Sequence, residues 1–171
     1  MSVSEFLIEL PNRVHDACKP LFDALPLEVA MPRLSPTSPQ PEPILNIVRA
    51  ITKEDVLKDR YDLQAGLWLY VDDLQSSHRV SQELPTREGA IWHAIMHRRE
   101  GDFANSKYWW HQAGNHEALK HIPKYDPIRF VEQVAERHPE ESLDLVEIQR
   151  AEWREVFLYC AKKWTSMGGL R

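Results

Sequence analysis

A glycine and an aspartate, Gly101 and Asp102, separate two helical patterns and constrain this chain more than any other feature. Thr86 is a good N-cap for a helix running to Glu100, and Gly101 fits the left-handed position that ends one. Asp102 can then cap a second helix, which stops at Gly114. With almost nothing between them, the two helices must fold back on each other as an antiparallel hairpin.

The rest of the sequence reads the same way. Asp62 to Gln75 is apolar nearly all round (Leu63, Ala65, Leu67, Trp68, Leu69, Tyr70, Val71, Leu74), which predicts a central buried helix, with a short buried strand over Leu67–Val71 as the alternative. Asp126-Pro127 is an N-cap followed by proline at the first helical position, and that helix ends near His138-Pro139. Leu145, Ile148, Trp153, Val156, Phe157, Cys160 and Trp164 form the stripe of a long last helix. The expectation is an all-α fold, a compact bundle of antiparallel helical hairpins. A short N-terminal helical arm (residues 1–30), helical around His15 to Leu25, precedes a Pro/Ser-rich loop (31–43). The helical body follows (44–166), then a tail expected to fray (167–171). The arm is too small to fold alone, so arm and body are read as one domain with the loop lying over it.

Composition narrows the function classes. A net charge of −5 argues against nonspecific binding to nucleic acid or to an anionic membrane. No apolar run is long enough to span a bilayer, and the N-terminus lacks the basic start of a signal peptide. Cys18 and Cys160 have no metal or redox spacing, so the cytoplasm is the expected compartment.

The stretch Gly89 to Gly114 holds three Trp, three His, two Arg and a Lys between glycines, and is the expected place of function. His93 and His97, four apart, share one helix face, the spacing that two imidazoles need to bind one ion. Glu100 falls in the same arc. Ala94 stands where a zinc protease needs its glutamate, which excludes that enzyme class. Asp72 and His78 come from the preceding segment. Asp72, His78, His93 and His97 are therefore the candidate acid-base groups or ligands of a divalent metal such as zinc, iron or manganese. Arg98, Arg99 and Lys107, with Asn105, Tyr108 and Trp109, suit a carboxylate or phosphate ligand. Structural roles compete with each assignment. The histidines can satisfy buried hydrogen bonds, Asp72 can pair with an arginine to fix helix register, and Arg98 and Arg99 can offset the helix dipole. Tyr70-Val71-Asp72-Asp73 copies a reverse-transcriptase tetrapeptide, but the flanks read as helix and no third carboxylate or palm is evident.

Arg99-Glu-Gly-Asp-Phe-Ala-Asn-Ser-Lys-Tyr-Trp-Trp resembles the turn and second helix of a tetratricopeptide hairpin, of which one unit is visible where a solenoid needs about three. More broadly, Tyr61 to Cys160 resembles a family of uncharacterised, mainly helical proteins of bacteria and fungi. The resemblance rests on Asp72, Ser77-His78, Ser81-Gln82, the run Trp92 to Glu100, Asp102, Asn105, Tyr108-Trp109, Gly114, His116 and Asp126-Pro127. Phe130-Val131, Gln149, Glu152-Trp153 and Tyr159-Cys160 continue it. Asp73 and His111-Gln112 depart from the aromatic and basic residues expected there. This resemblance implies a helical fold and a site location, and carries no activity. The expected function is binding or conversion of a small anionic molecule. The alternative is a non-catalytic helical interaction module, whose aromatic hairpin meets a protein partner or a second copy in a homodimer.

Overall fold

The computed structural model describes residues 3–166, with side chains placed from residue 5 to residue 163. The side chain of Trp164 and the tail expected to fray lie outside the described residues. Nine α-helices and one 3-10 turn make up the described fold, which contains no strand: α1 Val3–Glu9, α2 Asn12–Ala24, α3 Glu42–Ile51, α4 Tyr61–Tyr70, α5 Leu74–Ser81, α6 Arg87–Glu100, α7 Phe103–Ala113, the 3-10 turn Glu117–His121, α8 Pro127–Arg137 and α9 Leu143–Ser166. Among the described residues the fold is all-α, and no helix is long and apolar enough to cross a membrane.

The caps fall where local chemistry places them. Thr86 accepts from the Gly89 amide, Asp102 from Asn105 and Asp126 from Arg129. Gly101 has φ 89°, and the amide of Asp102 reaches back to the His97 carbonyl, closing α6 with the left-handed turn that glycine permits without a Cβ clash. α6 and α7 form the predicted hairpin. It is locked by Ser106, whose hydroxyl donates to the Ala94 carbonyl at 2.7 Å.

The expected single helix over Asp62–Gln75 is two helices. α4 ends at Tyr70, Asp72 takes φ 61°, and Asp73 caps α5 by accepting from the Ser76 amide. Aspartate tolerates the left-handed region and is a favoured N-cap, so the consecutive acids turn the chain although its apolar run continues. Ser77 on α5 donates to the Ala65 carbonyl on α4 at 2.9 Å, holding the two helices close. α4 is helical, not a strand, and α6 is buried almost all round as well, from Glu88 to Arg99.

The N-terminal arm belongs to the core. Phe6 and Phe22 meet Trp153, Phe157 and Tyr70 edge-on, while Trp153 and Phe157 stack at 4.7 Å. The Pro-rich segment lies over the body as an ordered strap. Gln40 donates its amide to the Val71 carbonyl, and the Arg33 carbonyl accepts from Arg99 and Gln149.

Candidate metal centre

α5, α6 and α7 come together at a seam, and the seam converges three imidazoles. His78 projects from α5, His93 and His97 from α6, and one ring nitrogen of each lies within 4.8 Å of the others. The rings contact one another: His93 and His97 stack at 4.8 Å between centroids, and His78 meets them edge-on at 4.7 Å and 5.4 Å. From α7, the Trp109 indole stacks on His93 at 4.2 Å. The two serine contacts hold this geometry, because Ser77 precedes His78 in sequence and Ser106 follows Asn105.

The polar environment of the rings is uneven. His97 Nδ1 lies 3.1 Å from a carboxylate oxygen of Glu100, and its Nε2 lies 3.2 Å from the Asn105 amide nitrogen. A carboxylate only accepts, so Nδ1 carries the proton and Nε2 presents the lone pair. His93 Nδ1 is buried with no hydrogen-bond partner, a costly arrangement for a polar atom with nothing bound to it. Burial, with His97 and His78 alongside, pushes the His93 imidazole down to about 4. His97 is also lowered by burial, against the pull of Glu100. His78 is half-buried and opens the cluster toward solvent.

Asp72 does not join the histidines. Its carboxylate accepts from Arg99 Nη2 at 2.5 Å and from Gln40 at 3.0 Å, so the competing reading, an Asp–Arg pair that fixes register, is what forms. Arg98 and Arg99 do not face a ligand pocket either. Arg98 makes a two-pronged contact with Glu152 at 2.7 Å and 2.6 Å, fully buried, with its guanidinium over the Phe130 ring. Tyr125 donates to the same Glu152. Arg99 also donates to the Leu69 carbonyl at 2.7 Å. Lys107 lies 3.9 Å from Glu132 on α8, and Tyr108 is 55% exposed with its ring edge-on to Trp109. Of the ten residues named from the sequence, His78, His93, His97, Asn105 and Trp109 share one site. The buried Glu152 and Gln149 and the half-buried Gln40, partners of the other candidates, are far away in sequence, and no local spacing could reveal them.

A cleft of about 410 Å³ lies elsewhere, between the 3-10 turn and α9, lined by Ala118, Leu158 and Tyr159 with the acids Glu117 and Glu155. Glu9, His121 and Lys162 also line it, but the cluster of three or more possible metal-ligating groups found among the described residues is the one at the histidine seam.

Comparison with protein families, with curated proteins and with solved structures gave no match to this chain.

Proposed function

We propose that His78, His93 and His97 bind one divalent transition-metal ion, and that the protein uses it to bind or convert a small anionic molecule. The observation that carries this reading is the approach of three imidazole nitrogens, from two helices, to within 4.8 Å of one another. On a tetrahedral zinc with Zn–N bonds of about 2.0–2.1 Å, ligand nitrogens stand roughly 3.4 Å apart, so an approach on the order of 1 Å completes the set. Three nitrogen donors suit zinc or iron(II) better than manganese, which prefers oxygen. Three protein ligands leave a coordination position for an outside molecule, the pattern of catalytic sites and not of closed structural ones. Glu100 beside His97 Nδ1 supplies the carboxylate partner that fixes a ligating histidine's tautomer.

Charge gives the substrate class. Neutral imidazoles leave the ion its full double positive charge, and Asp72 does not offset it because it is paired with Arg99. The ion itself would therefore attract an anion, the role first assigned to Arg98 and Arg99. Cys18 and Cys160, both buried thiols, fit the cytoplasmic setting we infer.

The test is metal content by plasma mass spectrometry on untagged protein, as isolated and after incubation with zinc or iron(II). Near-stoichiometric metal is expected, falling to background in His78→Ala and in the double variant His93→Ala, His97→Ala. Absence of bound metal under both conditions would instead favour a helical interaction module presenting Tyr108, which is exposed beside Trp109.

A further inference from the structure

Asn105 holds a position that the metal reading leaves unexplained. Its amide nitrogen lies 3.2 Å from His97 Nε2, the lone pair that an ion at this seam would take. The backbone beneath it is fixed: the Asn105 amide donates to Asp102, and the next residue, Ser106, donates to the Ala94 carbonyl. Only the side chain is free to move. His97 Nε2 is the one partner of that side chain among the described residues, so an ion bound there would leave the carboxamide donor without an acceptor. A molecule in the ion's open position can supply a new acceptor.

The surrounding cations limit what that molecule can be. Arg98 and Arg99 are held in buried ion pairs with Glu152 and Asp72. Lys107 faces Glu132, and Arg79, next to His78, donates to Ser76. Carboxylates, by contrast, stand close: Glu100 touches His97, and Asp102 caps the helix carrying Asn105. A doubly charged phosphate would find one metal ion, two buried arginines already committed to ion pairs and two nearby carboxylates. A singly charged carboxylate asks less: one oxygen for the metal and one hydrogen bond for the other.

Resting on the metal reading above, we propose that Asn105 is the ligand-binding residue of this site. Its amide donates to the free oxygen of a small monovalent carboxylate bound at the metal, selecting that class over phosphates. The test uses the full chain loaded with Co²⁺ in place of the native ion, followed by its visible absorption. Acetate is expected to shift the cobalt bands saturably, and inorganic phosphate to bind more weakly. Asn105→Ala should weaken acetate about tenfold, the worth of one hydrogen bond to a charged group. Asn105→Asp, close in shape but negatively charged, should weaken it further. Cobalt bands with acetate affinity unchanged in both variants would overturn the role of Asn105 and leave the metal site standing. Phosphate binding tighter than acetate, or acetate leaving the wild-type bands unmoved, would overturn the carboxylate class. No cobalt bands in the wild type would overturn the metal site and this inference together.

Discussion

The Trp109 indole lies over the His93 imidazole with centroids 4.2 Å apart and planes 15° from parallel, so α7 roofs the histidine pair carried by α6. An ion held by His93 would sit within a few ångströms of that indole. Titrating Co²⁺ or Cu²⁺ into metal-free protein should therefore quench part of the tryptophan fluorescence saturably. Trp109→Phe keeps the stacked ring and should reduce the saturable component, leaving what Trp92 and Trp110 contribute. Quenching of undiminished amplitude in Trp109→Phe would mean that the ion binds away from this ring.

Asp72 separates stability from metal binding. Asp72→Asn keeps a residue that tolerates the left-handed turn but leaves Arg99 buried without its charge partner. Breaking a buried pair in this way costs about 3–5 kcal/mol. Urea denaturation should report a loss of that order, while the folded protein keeps its full metal content. Stability near wild type with metal lost would return Asp72 to the ligand set.

Glu88 at the start of α6 sets an acid limit. Its carboxylate lies 3.5 Å from His116 Nε2 and accepts from Lys163 at 2.7 Å. The contact with His116, then the one with Lys163, holds it well below the usual carboxylate range, against burial. Because the folded value is depressed, its contribution is fully present above the unfolded value of about 4.3 and is lost as pH falls through the folded one. Glu88→Gln should thus melt below wild type at pH 7, with the gap closing as the pH falls below about 4. A gap constant with pH would mean that the loss comes from packing and not from charge.

Two glycines should respond differently to alanine. At Gly101 a Cβ meets only ordinary contact with His138, so Gly101→Ala should cost about 1–2 kcal/mol of left-handed backbone strain. At Gly89 a Cβ would fall 2.4 Å from the Leu84 backbone oxygen, which cannot rotate away. Gly89→Ala should destabilise more than Gly101→Ala and disturb the N-terminus of α6. Thermal melts of the two variants give the order directly.

Much of this fold was legible in the sequence because its signals are local. Thr86, Gly101, Asp102 and Asp126 act within a few residues of themselves, and each marks the helix end it predicts. The break at Asp72 was hidden by the opposite circumstance. Its apolar flanks continue on both sides, and only the left-handed turn and the Asp73 cap show where α4 stops.

The site divides along the same line. His93 and His97 could be paired from their spacing, since four residues return to one face of a helix. Arg98 and Arg99 could not be assigned, because adjacent helical residues diverge by about 100° and each found a different neighbour. One faces Glu152 on α9 and the other Asp72 in the α4–α5 turn. By itself, the sequence determined the all-α class, the caps at Thr86, Asp102 and Asp126, the 86–114 hairpin and the histidine pair, all products of periodicity and short-range hydrogen bonding. The tertiary structure alone decided that His78 joins the pair, that Asp72 and both arginines become buried struts, and that Asn105 and Trp109 close over the rings. Those choices follow from how helices rotate and slide against one another, which no periodicity within a single helix encodes.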